Sequence, residues 1–465
     1  MSNERLPFSK VFAYALPALP MQTLLAPVAM MIPGLYVKNT ETTLAAVGAI
    51  YLASRIFDGV TDPLIGYFSD RTKSRLGPRK PWLIVGTIIA VVAILFLFNP
   101  PSTADWRYLL VTLFSLYVGY TMLDVPHRSW GMELSHDYEE RNRISTFVGI
   151  LTVLGFFAFI SLPLFPFFES SEFTLETFKW ISIGVALVLP STVLISLVYA
   201  PQGKELAVSE STFRGLFESL RKNKPFWTFG LAMVSAGMGW GAFIGLTFIV
   251  TDTYFKFGEY FAVISLVMFG FRMAFIPAWM KLANMMGKHK AWALSKLLEG
   301  LSFLGFLLLT PGETPVEMFF VVTICIGIFG GANEFIPMAL LGDIVDYDTL
   351  KTGANKGGNY FAFYSLIQKV NYAVGGAFGF FILSIFNYDP KAEVNTPEAG
   401  AALIFTFAVV PAIFYAICAL ILLYYPLDAR RHGIIRRRIE SRSLRLQRVS
   451  ADAEGVELSP ANLAN

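Results

Sequence analysis

The chain has 465 residues, of which 55% are hydrophobic and 15% are charged, and its formal net charge is +3. Soluble domains carry about 25% charged residues, so this composition excludes an ordinary soluble protein. The small positive charge does not indicate nucleic-acid binding, because the basic residues cluster in loops between apolar segments.

Twelve apolar segments follow one another along the chain. Most of them exceed the roughly 20 residues that a helix needs to cross a bilayer. They span 11–37, 45–68, 82–99, 108–131, 145–167, 178–199, 226–250, 258–280, 291–310, 315–342, 359–386 and 401–425. The first is long enough to span and lacks a clear cleavage site, so it reads as a helix and not as a signal peptide. We therefore expect an all-α membrane protein with twelve transmembrane helices.

The distribution of Lys and Arg predicts the orientation of these helices. The loops that follow segments two, six and eight are basic, whereas the loops that follow odd-numbered segments contain runs such as ESSEFTLE at 169–176. Basic loops favour the cytoplasmic side of a membrane. We expect a multi-pass protein of the plasma (inner) membrane with both termini in the cytoplasm.

A long polar loop near the middle of the chain indicates two halves. The predicted division is a six-helix bundle at 1–200, a cytoplasmic linker at 201–225, a second bundle at 226–426 and a basic cytoplasmic tail at 427–465. In transporters built from two such bundles, the substrate site lies between them near the membrane midplane.

Two acids in the second apolar segment are the first candidate site. Asp58 and Asp62 are four residues apart, so both carboxylates project from one face of a helix. Acids inside a membrane are costly unless they face a cavity, a cation or a basic side chain. Together with the hydroxyls of Thr61 and Thr121, they would supply hard oxygen ligands for Na⁺ or a carried proton. The alternative is a structural pair neutralised by Arg or Lys from a neighbouring helix.

Several other ionisable residues share the depth of this pair. Counted at about 1.5 Å per residue from the cytoplasmic helix ends, they lie about 12 to 18 Å deep. They are Asp58, Asp62, Asp124, Arg272, Glu334 and Lys369. A common level is what a shared binding site requires. We therefore expect them to surround one site, although Asp124 has the alternative of a structural ion pair.

The remaining polar candidates have more specific expected roles. Lys369, beside Gln368, would neutralise the acidic pair. Lys296 and Glu299, three residues apart on a helix, are expected to pair with each other. In the loop after segment two, we expect Asp70, Arg71 and Arg75 to form a cytoplasmic latch.

Three stretches of the sequence resemble one transporter family. They are FDGVTDPLIGYFSDRTKSRLGPRKPW at 57–82, YTMLDVPHRSWGMELSHDYEERNRI at 120–144 and LLGDIVDYDTLKTGANKGGNYFAFYSLIQK at 340–369. In order and over nearly the whole chain, the sequence resembles the glycoside–pentoside–hexuronide cation symporters. This is a branch of the major facilitator superfamily that includes the melibiose carrier. The resemblance implies the major facilitator fold and transport by alternating access.

The resemblance also implies roles for individual residues. Asp58, Asp62 and Thr121 match the family's cation site, and Asp124 matches a sugar-contacting acid. Lys369 matches a lysine associated with the cation site, although the alignment also admits Tyr372 there.

Some sugar contacts of the melibiose carrier are missing or changed. Gln22 falls nearest to its acid in the first helix, and Arg128 replaces a tryptophan, with Trp130 two residues later. No arginine lies near Val148, where the family's sugar-binding arginine would fall. We expect His127 and Arg128 either to contact an anionic group or to line the cytoplasmic exit. These departures argue against a galactoside as the substrate.

The expected function is cation-coupled symport of a small organic solute, most simply a sugar, glycoside or sugar acid, with Gln22, Asp124, Arg128, Trp130, Glu334 and Gln368 as substrate contacts. We expect a transporter and not an enzyme, with no cofactor other than Na⁺ or H⁺ as the coupling ion. We also expect a monomer in the lipid bilayer that does not bind nucleic acid. The alternatives are a sodium-coupled carrier of lysophospholipids or similar amphiphiles, and a non-transporting sensor with a transporter fold.

Overall fold

The computed structural model describes residues 5–135, 137–203, 223–353, 357–392, 394–428, 430–438 and 441. Most of the predicted linker and of the basic tail lie outside this range. Twelve long helical segments, with short helices between and after them, follow one another along the described chain. They are α1 Phe8–Met30, α2 Leu44–Arg71, α3 Lys80–Leu97, α4 Trp106–Glu133, α5 Glu139–Leu164, α6 Leu175–Tyr199, α7 Lys224–Tyr254, α8 Gly258–Met286, α9 Lys288–Leu308, α10 Val316–Thr352, α11 Gly357–Ile385 and α12 Pro397–Leu423.

Of the described helices, eleven are long and apolar enough to cross a membrane, and this confirms an all-helical membrane protein. The exception among the twelve is α11, whose apolar part is the shorter stretch Val374–Ile385. The count of twelve membrane crossings and the orientation of the termini stay predictions.

Helix ends differ most from the predicted segments where polar residues continue a helix. The tenth apolar segment was expected to end at residue 342, but α10 continues to Thr352 and stops at Gly353, whose φ is +73°. Glycine adopts this left-handed conformation without steric cost, so it ends helices readily. Apolar composition indicates only the part of a helix that lies inside the membrane. Backbone hydrogen bonds can continue the same helix through polar residues outside the membrane.

Several helices are interrupted inside the membrane. In α1 a turn at Leu16 and Pro17 separates two helical stretches, and a short helix, Ile32–Asn39, follows α1. In α8 the break lies at Phe275, and in α10 a 3₁₀ turn, Gly331–Glu334, precedes the break at Phe335. Proline lies in the first turn after the α8 and α10 breaks, where its missing N–H is tolerated. The depth count assumed unbroken helices, which does not hold for α8 and α10.

The helices pack mainly within each half of the chain. In the first half α3 packs on α4, α1 on α5 and α2 on α4, and in the second α7 packs on α11 and α12, and α8 on α10. Across the halves α2 contacts α11, α1 contacts α7 and α5 contacts α8. These three pairs form the interface between the halves.

The two halves are joined at the end that carries the odd-numbered loops. There Lys38 Nζ lies 2.7 Å from Asp252 Oδ2, and Lys391 Nζ donates to the Thr40 carbonyl oxygen at 2.5 Å. Deeper in the interface, the Phe156 and Phe269 rings of α5 and α8 lie 4.6 Å apart. The cross-half polar contacts that the structure describes therefore gather at one end of the molecule.

Candidate transport site

The two predicted cation-site acids lie on α2 in different environments. Asp58 is only 5% exposed, whereas Asp62, one turn later, is half-buried. Arg55 lies three residues before Asp58, and its Nη1 donates to Asp58 Oδ2 at 2.8 Å. At least one partner of the buried Asp58 carboxylate is therefore on its own helix. The alternative to a cation site predicted a basic partner from a neighbouring helix.

Arg55 also joins α2 to α4. Its Nη2 donates to the Tyr117 hydroxyl, and its guanidinium lies 4.4 Å from the centre of the Tyr117 ring. The sequence analysis missed this residue, because it considered basic partners from other helices only. The signal was present as spacing, since residues three apart on a helix are neighbours.

The predicted cation site also includes a residue of α4, which packs against α2. Thr121 is 3% exposed on α4. The next residue back, Tyr120, interacts electrostatically with Asp58, Asp62 and Asp124. On α2 the Thr61 hydroxyl donates to the Phe57 carbonyl oxygen at 3.0 Å, which leaves its oxygen lone pairs for a cation. The fold thus brings the acids of α2 and the polar residues of α4 together.

This oxygen-rich site differs from a transition-metal centre. Within the described part of the chain, no group of three or more His, Cys, Asp or Glu side chains could hold a metal ion. Carboxylate and hydroxyl oxygens are ligands for hard cations. The donor set therefore suits Na⁺ or a proton.

Asp124 has both a buried carboxylate and a partner of its own. It is 8% exposed and accepts a hydrogen bond from Nε of Arg128 at 2.8 Å, four residues later on α4. The Arg128 side chain is 63% exposed. A buried acid held by an exposed, movable cation can exchange that cation for a ligand.

Trp130 and Gln22 occupy different surroundings. Trp130 is 1% exposed, donates its indole N–H to the Pro201 carbonyl oxygen at 2.9 Å, and lies 5.1 Å from the Lys80 ammonium. These contacts are typical of a residue that is packed in the protein interior. Binding of the substrate by Trp130 stays a prediction. Gln22 is half-buried on α1.

A cluster of four charged side chains lies inside the second half. Arg272 donates from Nε to Glu334 Oε1 at 2.5 Å and from Nη1 to Glu299 Oε1 at 3.2 Å. Lys296 donates to the other oxygen of Glu299 at 2.7 Å, which confirms the predicted pair. Glu299 is fully buried, and Arg272 and Lys296 are each 2% exposed. Arg272 and Glu334, predicted at one depth, are in direct contact.

A small pocket lies beside this cluster. Its lining combines Trp240, Lys296 and three amide side chains, those of Asn333, Gln368 and Asn371. Gln368 Nε2 donates to the Tyr364 hydroxyl at 2.7 Å. The side chain of Lys369, the next residue, lies outside the described residues, so its pairing with the acids stays a prediction.

The loop that contains the predicted latch residues makes its main polar contacts through Arg79, which was not among those residues. Arg79 donates to Asp70 and also to Glu133 Oε1, the latter at 2.7 Å from Nη2. The Arg71 guanidinium lies 3.7 Å from the Tyr67 ring centre, and Arg75 is exposed. The described contacts of this loop therefore centre on Arg79 and stay within the first half.

Comparisons with known proteins cover nearly the whole chain. A family model described as MFS/sugar transport protein matches residues 13–429. The putative glycoside/cation symporter YagG of Escherichia coli is 25% identical over 413 residues, which cover 85% of this chain and 87% of that one. The sodium-dependent lysophosphatidylcholine symporter 1 of Gallus gallus is 22% identical over 479 residues, covering 92% and 88%.

A solved structure shows the same fold. It is a bacterial homologue of the human lysosomal transporter Spinster, in an inward-facing and unoccupied conformation. The TM-score is 0.61 at 14% identity, over 92% of this chain and 96% of that chain.

Proposed function

Because this chain belongs to the MFS/sugar transport family and is a transporter and not an enzyme, we propose that it is a cation-coupled symporter of a sugar, glycoside or sugar acid. The match confirms the resemblance to the glycoside–pentoside–hexuronide symporters. The observation that carries the proposal is the buried Asp58 carboxylate, held by Arg55 beside Asp62 and α4.

The proposed cation site consists of Asp58, Asp62, Thr61 and Thr121. A Na⁺ ion or proton that reaches Asp58 competes with Arg55, because the carboxylate oxygen that faces Arg55 would face the cation instead. Arg55 already contacts Tyr117, which offers a place for the released guanidinium. The buried acid thus has a cationic partner whether or not the coupling ion is bound.

The proposed substrate contacts come from both halves. They are Gln22, Asp124 and Arg128 from the first half, and Glu334 and Gln368 from the second. If the cation favours the arrangement that binds substrate, the substrate must raise the cation's affinity by the same factor. Trp130 supports this surface through packing.

Alternating access follows from the arrangement of the halves. We place the two bundles at 1–200 and 226–426, joined by the linker 201–225, in a monomer with cytoplasmic termini in the plasma membrane. With the odd-numbered loops outside, the Lys38–Asp252 contact closes the outer end, and the molecule faces inward. On rocking, the loop that contains Asp70, Arg71, Arg75 and Arg79 would form the latch on the cytoplasmic side.

The test measures transport against a gradient in proteoliposomes. Asp58→Asn and Asp62→Asn should abolish Na⁺- or H⁺-driven accumulation of a sugar substrate while leaving the protein folded. Glu41→Gln, which removes an exposed acid from an odd-numbered loop, is the control and should transport normally. If both Asn variants still concentrate substrate, the cation-site assignment is wrong.

Thermal stability of the purified protein tests the proposed partnership of Lys369 with the acids. Lys369→Ala and Asp58→Asn should have non-additive effects on the melting temperature when combined, because each removes one member of an interacting pair. Strictly additive effects would leave Lys369 as a substrate contact or a local structural charge.

The lysophospholipid relative favours a second candidate substrate class. The test measures the melting temperature of the protein with sugars, sugar acids and lysolipids, each with and without Na⁺. If the protein is a sugar symporter, carbohydrates should raise the melting temperature in a Na⁺-dependent way. Stabilisation by lysolipids alone would favour the second candidate.

A further inference from the structure

The pocket in the second half presents a positive charge to a ligand. Of the residues described around it, Lys296 is the charged one, and the others are amides, Trp240 and small apolar residues. We propose that this pocket is a carboxylate-binding subsite, centred on Lys296, which takes the anionic group of a transported sugar acid. The inference rests on the proposed function, since it assigns part of the same transport pathway.

The acids of the neighbouring cluster do not cancel this charge at the pocket. Glu299 is fully buried, with one oxygen facing Arg272 and the other facing Lys296. Glu334 holds Arg272 through Oε1. The cluster contains two cations and two acids, and the described contacts of its carboxylates go to the cations, while Lys296 lines the pocket. An ammonium has three donors, so Lys296 can bind Glu299 and a ligand together.

The rest of the lining suits one end of a sugar acid. Asn333 accepts a hydrogen bond from the Trp292 indole at 3.3 Å through its Oδ1, so the group it can offer to a ligand is its NH₂. Trp240 adds an aromatic surface, with the Arg272 guanidinium 4.6 Å from its ring. The cavity of about 20 Å³ has room for a polar group of about the size of a water molecule. One carboxylate oxygen could enter it, while the sugar ring would remain on the side of the interface.

The backbone around the cluster is irregular where a ligand site is expected. A Cβ at Gly330 would lie 2.2 Å from Arg272 Nη1 and 2.7 Å from Glu299 Oε1, so a side chain at this position of α10 would displace the charged groups of the cluster. Both α8 and α10 are broken near the cluster. Inside membranes, broken helices occur where they are buried in protein or line a cavity, and transporters use them to bind ligands.

Quenching of tryptophan fluorescence tests the subsite without knowledge of the natural substrate. Iodide is the anionic probe and caesium the matched cationic probe. The difference between the wild-type protein and Trp240→Phe isolates the Trp240 signal. We expect iodide to quench this signal at least twofold more strongly than caesium. In the Lys296→Met variant, iodide and caesium should quench the Trp240 signal equally. There the Trp240 signal is the difference between Lys296→Met and the double variant Lys296→Met with Trp240→Phe. Arg272 still pairs with Glu299 in the Lys296→Met variant.

A second variant moves the result in the opposite direction. Glu334→Gln removes the carboxylate that competes for Arg272 and leaves the cluster with an excess positive charge, so iodide quenching should rise by about twofold. Glu317→Gln removes the same charge from an exposed position of α10 and should change nothing. A merely structural cluster would not show opposite responses to Lys296→Met and Glu334→Gln.

The last step identifies the ligand group. D-glucuronate should protect Trp240 from iodide, whereas D-glucose, which lacks the carboxylate, should not. Equal quenching by iodide and caesium overturns the subsite, and iodide quenching that glucuronate leaves unchanged overturns the carboxylate assignment. Asp58→Asn should keep the iodide response, so failure of the subsite is distinguishable from failure of the proposed cation coupling.

Discussion

Arg55 changes how the acidic pair on α2 is understood. In the sequence, Asp58 and Asp62 are two carboxylates in an apolar helix, and a cation is the simplest way to neutralise them. In the structure, Asp58 already has a guanidinium partner 2.8 Å away. A cation that binds this carboxylate, as we propose, would compete with an existing ion pair, and this would link cation binding to movement of a side chain that also contacts α4.

Replacing this arginine should make folding depend on the coupling ion. Removal of one partner from a buried ion pair destabilises a protein by about 3–5 kcal/mol. We expect Arg55→Ala to lower the melting temperature in choline buffer and Na⁺ to restore it, because Na⁺ compensates Asp58 directly. For proton coupling, acidic pH should restore it instead. The measurement is differential scanning fluorimetry of the purified protein in matched buffers.

Arg5→Ala is the control for this prediction. Its guanidinium pairs with Glu139 at 3.5 Å, and both side chains are exposed, so its loss should change stability by no more than about 1 kcal/mol. If neither Na⁺ nor acid stabilises Arg55→Ala more than the wild type, Arg55 does not compete with the coupling ion.

At the scale of the helices, close crossings depend on glycine. A Cβ at Gly119 of α4 would lie 2.6 Å from the backbone nitrogen of Ala90 on α3. Backbone atoms cannot move aside as the end of a flexible side chain can. With a Cβ at this position, α3 and α4 would therefore have to separate. This crossing helps to hold α4, and with it Thr121 and Asp124, in place beside α2.

Gly119→Ala should therefore destabilise the first half. Overpacking of this kind costs about 1–3 kcal/mol, and a lower melting temperature together with weaker cation binding is the expected result. Gly184→Ala on α6 is the control, because nothing lies within 4 Å of its added Cβ and alanine favours a helix by up to about 1 kcal/mol. Equal melting temperatures for the two variants would show that the α3–α4 crossing tolerates a methyl group.

For the molecule as a whole, an ion pair joins the two halves at the odd-loop end. Lys38 and Asp252 lie on different halves, and Lys38 is 43% exposed. A partly exposed ion pair contributes about 0.2–1 kcal/mol, enough to change a two-state population by up to about fivefold. The pair stabilises the closed odd-loop end only weakly, so that a transporter can reopen there.

Lys38→Ala should shift the population toward open odd-loop ends. Spin labels at Ser102 and Glu313, on odd-numbered loops of the two halves, would report the distance by double electron–electron resonance. We expect a larger long-distance fraction than in the wild type. Exchanging the charges as Lys38→Asp with Asp252→Lys should restore the original distribution. An unchanged distribution in Lys38→Ala would show that other contacts hold this end closed.

Much of this molecule was readable from local sequence. Long apolar runs predicted a helical membrane protein, and the motif at 57–82 placed Asp58 and Asp62 on one helix face. The spacing of Lys296 and Glu299 predicted their ion pair. These inferences succeed because membrane insertion and neighbour relations along a helix depend on residues close together in the chain.

Only the tertiary structure decided which distant charges meet. The contact of Arg55 with Tyr117 joins residues 62 apart, as does that of Arg272 with Glu334, and Arg79 reaches Glu133 across 54 residues. Such pairs depend on how helices rotate and cross, and on breaks such as those in α8 and α10. Local spacing does not contain that information. For this reason the sequence determined the family, the helices and the acidic pair, whereas the partner of Arg272 and the place of Lys296 in the lining of the pocket in the second half required the fold.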